Sequence, residues 1–188
     1  TTLFRSNNVV CAETSEDYSS NSETGTENKW YVTNGTVNGS DTAQIVNVIW
    51  DSVSTGRLKL VQTNAESGCS DSTTMEIEIN PLPDPVISGN TRVCEFNYET
   101  YASNNENIFD KIWRVTGGQL QTDSTAESID VIWQEKGTGE IELVQINPQT
   151  GCRDSVSINV NINAIPQPEI TGDRIVCAET GHNYISNS

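Results

Sequence analysis

Histidine and methionine occur once each in the 188 residues, and basic side chains are scarce, with 10 Lys and Arg against 26 Asp and Glu and a formal net charge of −16 at pH 7. A single histidine leaves little for an acid–base or metal centre of the usual kind. A nucleic-acid surface needs Lys and Arg to neutralise phosphates, so no nucleic acid is expected as a partner. No apolar run approaches the roughly 18 residues from which a membrane-spanning helix is read, so membrane insertion is not expected either. The sequence lacks a Gly-rich phosphate loop, a Ser-His-Asp order and a paired-carboxylate motif, so an enzyme is not expected. It starts Thr1-Thr2-Leu3 and carries no signal peptide, so it reads as part of a larger processed protein.

What is present is a repeat. Cys11, Cys94 and Cys177 are separated by 94 − 11 = 83 and 177 − 94 = 83. Tyr18, Tyr101 and Tyr184 keep the same step, as do Trp30 and Trp113, Trp50 and Trp133, Gly56 and Gly139, Cys69 and Cys152, and Pro83 and Pro166. No gap is needed, and about a third of the aligned positions are identical, which makes the period the primary feature of the chain. Residues 1–82 form a first repeat, 83–165 a second, and 166–188 the start of a third. His182 falls where the full repeats have Glu16 and Glu99, which argues against a catalytic role.

Within a repeat the apolar residues alternate. Ser128–Trp133 places Ile129, Val131 and Trp133 on one face, and Ser155–Asn163 alternates Val156, Ile158, Val160 and Ile162 with Ser and Asn. Period two dominates, and no stretch shows a convincing helical stripe. About seven short strands per repeat, with Trp30, Trp50, Trp113 and Trp133 facing inward as core, predict an all-β protein. The expected architecture is a tandem of small antiparallel immunoglobulin-like β-sandwiches. The hydrophobic content of 34% is sufficient for modules that bury one face of each strand. The junctions Ile79–Ile87 and Ile162–Ile170 are proline-rich, which favours short, extended, semi-rigid linkers and a rod of modules.

The cysteines recur with a spacing of 69 − 11 = 58 and 152 − 94 = 58 inside each repeat. The preferred pairing is therefore Cys11 with Cys69 and Cys94 with Cys152, leaving Cys177 with a partner outside the chain. The rival is Cys69 with Cys94, a staple between neighbours. Either pairing implies an oxidising, extracytoplasmic compartment. Metal binding by these widely spaced cysteines is not expected. The carboxylates are dispersed, and no Asp-x-Asp-x-Asp-Gly loop is present. No cofactor is expected, with calcium held by carboxylates of adjacent modules kept as a minor alternative.

The run Trp30-Tyr31-Val32-Thr33-Asn34-Gly35, then Val48-Ile49-Trp50, then Gly68-Cys69, with their second copies, resembles the PKD-like repeats of Bacteroidota surface proteins. Long arrays of such repeats are similar to giant filamentous adhesins of gliding bacteria, exported by the type IX secretion system. Related modules also serve as spacers in secreted polysaccharide-degrading enzymes. The resemblance implies an extracellular, cell-surface location. The implied partners are neighbouring repeats of the same chain, surface polysaccharide, and the secretion and gliding machinery.

Two sets of residues stand out against the repeat. Phe96, Tyr98 and Phe109 replace Glu13, Ser15 and Thr26, and are candidate ligand contacts. Asp-Ser or Asp-Thr steps recur and resemble a Bacteroidota O-glycosylation motif, which implies Thr42, Ser52, Ser72, Ser124 and Ser155 as acceptors. The same steps also make good turns.

Overall fold

The computed structural model describes residues 8–51, 54–104 and 108–186. In the first repeat the alternating segments become β1 (Val9–Cys11), β2 (Ser15–Ser19), β3 (Thr26–Thr33), β4 (Gly35–Asn38), β5 (Ile45–Trp50), β6 (Ser54–Asn64) and β7 (Ser70–Asn80). They form two sheets, one in the order β1-β7-β6-β3 and one in the order β2-β5-β4. Both sheets contribute to one core, which includes Tyr18, Trp30, Val48, Trp50, Leu60 and Ile77. The pleat explains the segregation. Leu58 and Leu60 of β6 are buried, while Arg57 and Lys59, which alternate with them, are exposed. Arg57 faces Glu76 across the ladder and pairs with it at 2.8 Å.

The second repeat continues with β8 (Ile87–Ser88), β9 (Arg92–Cys94), β10 (Tyr98–Ser103), β11 (Asp110–Thr116), β12 (Gly118–Leu120), β13 (Ser128–Trp133), β14 (Gly137–Ile146) and β15 (Arg153–Asn163). Its sheets run β12-β13-β10-β8 and β11-β14-β15-β9. A short pair, β16 (Ile170–Thr171) with β17 (Ile185–Ser186), follows in the third copy. The protein is an all-β chain of immunoglobulin-like β-sandwich character.

The sheets are not wholly antiparallel. β1 runs parallel to the end of β7, with Cys11 opposite Asn80, and β9 runs parallel to the end of β15, with Cys94 opposite Asn163. These edge strands are three residues long, too short to show a period of their own. The Gly117-Gly118 pair does more than end β11. Gly117, at φ +80, makes the turn, and Gly118 begins β12 beneath Trp133. A Cβ on Gly118 would lie 2.9 Å from Trp133 Cε3.

By internal contacts the chain forms two compact units. The first is Thr1–Val86 with Asn105–Ile112 and Val144–Val156, and the second is Ile87–Asn104 with Trp113–Leu143 and Ser157–Ser188. The first unit therefore takes in the β14–β15 turn, which belongs to the second sequence repeat.

Each repeat centres on a Tyr–Trp pair. Tyr18 and Trp50 meet edge to face with ring centroids 6.1 Å apart, and Tyr101 and Trp133 repeat that distance. The Trp50 indole N–H donates to the Tyr18 hydroxyl at 3.1 Å, and Trp133 donates to Tyr101 at 3.2 Å. The Tyr101 hydroxyl then donates to the Asn90 carbonyl at 2.8 Å, a bond that Tyr184 repeats with Asp173 at 3.0 Å.

Candidate functional site

Covalent chemistry in this protein centres on the cysteines. The structure joins Cys11 to Cys152, with their Cα atoms 5.6 Å apart and a sequence separation of 141. Both lie in the first compact unit. Cys69, Cys94 and Cys177 are free and exposed. The expected pairs Cys11–Cys69 and Cys94–Cys152 are absent, and so is the rival Cys69–Cys94.

The register gives the reason. Cys11 lies beside Asn80, the last residue of β7, whereas Cys69 immediately precedes Ser70, its first residue. At ~3.3 Å per residue, the eleven-residue strand holds the two roughly 33 Å apart. A disulfide requires Cα atoms within about 7 Å. The second repeat has the same geometry, with Cys94 beside Asn163 and Cys152 preceding Arg153 across another eleven-residue strand. Within a repeat the two cysteines therefore occupy opposite poles, and neither can reach the other.

Local bonds hold both kinds of cysteine in place. The Thr14 hydroxyl donates to the Cys11 carbonyl at 2.6 Å, and Thr180 does the same to Cys177 at 2.7 Å. At the other pole, Asn64 N–H donates to the Cys69 carbonyl at 2.9 Å and Asn147 N–H to that of Cys152 at 2.8 Å, closing equivalent turns. Gly68 and Gly151 supply the positive φ those turns need, at +70 and +74.

Among the candidate aromatics, Phe96 and Tyr98 are 65% and 66% exposed, in the turn after β9 and at the start of β10. Phe96 has φ 63, uncommon for a bulky residue, and its N–H donates to the Trp133 carbonyl at 2.6 Å. Glu13 holds the same turn in the first repeat at φ 59. Phe109 is half-buried and belongs to the first compact unit, whereas Phe96 and Tyr98 belong to the second. Trp30, Trp50, Trp113 and Trp133 are all buried.

Of the candidate glycan acceptors, Thr42, Ser72 and Ser155 are exposed, and Ser124 is half-buried. Ser52 lies outside the described residues. The aspartates before Ser72 and Ser155 each accept the following serine's N–H at 2.7 Å. Asp123 accepts from the Thr125 N–H and hydroxyl, and these bonds hold its carboxyl below the usual carboxylate range. His182 sits half-buried between Thr180 and the Asp173 carboxylate, 3.2 Å from the latter.

Burial pushes the Tyr18 hydroxyl up to about 12 and raises Tyr101 as well, opposed in each case by the tryptophan N–H. Both phenols stay neutral at ordinary pH and act as core hydrogen-bonding groups. Among the described residues, no three His, Cys, Asp or Glu side chains group to hold a metal ion. One shallow concavity of about 330 Å³ is lined by polar loop residues including Gln134, Glu135 and Lys136.

A buried polar cluster went unseen in the sequence. Asn28 donates to Ser20 and Ser22, both at 3.1 Å, and accepts from Gln62 at 3.0 Å. The second repeat puts Ser103, Lys111 and Gln145 at the corresponding positions, all buried. Gln62 and Gln145 fall at the same repeat position on alternating strands, the one signal that pointed there.

No protein-family profile matches the chain, and no curated protein matches it. Among solved structures it is similar to a C-terminal 282-residue fragment of intimin in complex with the intimin-binding domain of its translocated receptor. That similarity has 15% identity and a TM-score of 0.40, over 92% of this chain and 66% of that one. It is also similar to the fibronectin(III)-like modules of Clostridium thermocellum CbhA, with 12% identity and a TM-score of 0.38, over 87% and 95%. A third similarity is to the Bacteroides ovatus SGBP-B in complex with a mixed-linkage heptasaccharide, with 12% identity and a TM-score of 0.29, over 82% and 42%.

Proposed function

We propose that this chain is a structural segment of a secreted, cell-surface repeat filament, an adhesin of the gliding-motility kind exported by the type IX route. Its modules serve as disulfide-stapled spacers, and the segment performs no catalysis. The observation that carries this reading is the Cys11–Cys152 bond, which ties one sequence repeat covalently to the next. Such a bond forms and persists in an oxidising, extracytoplasmic setting. Repetition of the same Tyr–Trp core supports a role that depends on copy number. Many weak surface contacts along an array add by multivalency. Glycans on Thr42, Ser72 and Ser155, which are exposed, would coat the segment against proteolysis.

The test compares adsorption of the chain, singly and displayed in multiple copies, to polysaccharide-coated surfaces. Intact cells of the source are stained in parallel with antibody against the chain. The reading expects surface staining and binding that rises steeply with copy number. Staining only after permeabilisation, or no binding at any copy number, overturns it for surface display and adhesion respectively.

Exposure of Phe96 and Tyr98 favours a second reading, an accessory carbohydrate-binding or spacer module of a secreted polysaccharide-degrading enzyme. In that case the single chain binds a soluble glycan, and the joint substitution Phe96→Ala with Tyr98→Ala abolishes the binding.

A further inference from the structure

The one disulfide and the three free thiols obey a single rule once the period is applied. The bonded separation is 152 − 11 = 141, which is one period of 83 plus the intra-repeat spacing of 58. The bond therefore joins the first cysteine of one repeat to the hairpin cysteine of the next. Advancing the pair by 83 assigns Cys94 to position 152 + 83 = 235, and Cys177 to position 235 + 83 = 318. Moving it back by 83 assigns Cys69 to a first cysteine one repeat before Cys11. All three assigned partners lie outside residues 1–188, and these three cysteines are the ones that are free and exposed. The only pair with both members inside the chain is bonded.

The register excludes the alternative, a bond within one repeat. Cys11 and Cys94 sit beside the ends of their repeats' last strands, and Cys69 and Cys152 immediately precede the starts of those strands. A bond within a repeat would have to span the strand. A bond between consecutive repeats joins opposite poles.

We infer that Cys94 and Cys177 are each the donor of a disulfide to the hairpin cysteine of the repeat that follows, and that Cys69 receives one from the repeat that precedes. Every junction of the array is then covalently closed beside its proline linker. Bond formation converts two thiols to one disulfide, and the two electrons and two protons pass to a disulfide oxidant, which becomes a dithiol or two thiols. The inference rests on the array reading of the chain and not on adhesion.

The test inserts a second copy of residues 83–165 between Ile165 and Pro166, so that every existing residue is kept. The protein is refolded with oxidised glutathione, alkylated without reduction and mapped by peptide mass. The expected linkages are Cys11–Cys152 and Cys94 with the hairpin cysteine of the inserted repeat. Cys69, Cys177 and the first cysteine of the insert stay alkylated. If Cys94 is alkylated in the extended chain, or links to Cys69 of the same or a second molecule, the rule is overturned. In the unextended chain, Cys11→Ser is expected to raise the alkylatable thiols from three to four. A Cys94–Cys152 linkage in that variant also overturns the rule. Failure of glycan or surface binding would leave this pairing result untouched.

Discussion

Replacing Tyr101 with phenylalanine keeps the ring and deletes only the hydroxyl that joins two parts of the second repeat. In the native protein that oxygen accepts the Trp133 indole N–H at 3.2 Å and donates to the Asn90 carbonyl at 2.8 Å. The two losses differ in consequence. Asn90 is exposed, so its carbonyl takes water instead. Trp133 has no solvent exposure, so its N–H is stranded in the core. An unsatisfied buried donor costs about 1–3 kcal/mol, and water largely compensates the exposed bond. The expected loss is about 2 kcal/mol, which for a chain of this size is a fall in Tm of roughly 4–8 °C. Thermal unfolding followed by tryptophan fluorescence, with urea titration for free energy, reads both. Tyr31→Phe is the control, because Tyr31 is 53% exposed and its change should stay within about 0.5 kcal/mol. If Tyr101→Phe behaves like Tyr31→Phe, the hydroxyl bridge is not structural and the reasoning fails.

Three further outcomes are expected. Tyr18 has a folded pKa of about 12 against an ordinary 10, so its neutral form is favoured by folding. The stability it contributes is fully present below pH 10 and is lost as the pH rises from 10 towards 12, by up to about 3 kcal/mol. Urea midpoints across that range should fall less steeply in Tyr18→Phe, and an unchanged profile would contradict the assignment. In Gly139→Ala the new Cβ would lie 2.1 Å from Trp133 Cζ3, and such overpacking should cost about 1–3 kcal/mol by urea titration. Gly181→Ala, with nothing within 4 Å, should be close to neutral by the same titration.

Much of the fold was legible because burial on one face writes a period of two into the sequence. Val46, Val48 and Trp50 alternate inward on β5, and Ile129, Val131 and Trp133 do the same on β13. The 83-residue step then doubled each signal. What escaped were β9 and β12, three residues each, whose existence is set by pairing with Asn161–Asn163 and Val131–Trp133. The Asn28 cluster escaped for a related reason. Buried polar residues look like exposed ones until their partners, here on β6 and in the segment after β2, are brought together. Phe96 and Tyr98 were visible as departures from the repeat, but their exposure was not. Phe109 departs from the repeat equally and is half-buried.

The cysteines were the sharpest failure of counting. Equal spacings of 58 suggested a closed loop in each repeat, but residue number does not measure distance along a straight strand. Mechanical unfolding separates the two pairings directly. When the chain is pulled from its ends, a disulfide hides the residues it bridges from the extended contour. The Cys11–Cys152 bond hides 141 residues, which at ~3.5 Å each is roughly 490 Å. Two intra-repeat bonds would hide 58 residues each, roughly 200 Å apiece. Single-molecule pulling of the oxidised chain, followed by addition of a thiol reductant under load, should therefore release one step near 490 Å. Cys11→Ser should show full extension without reductant. Two steps near 200 Å would restore the intra-repeat pairing and remove the covalent link between repeats. Because strand length, and not any detail of the turns, keeps Cys11 from Cys69, shortening β7 is the one change that could bring them together. No such shortening is compatible with the ladder that pairs Ser70–Ile79 with β6.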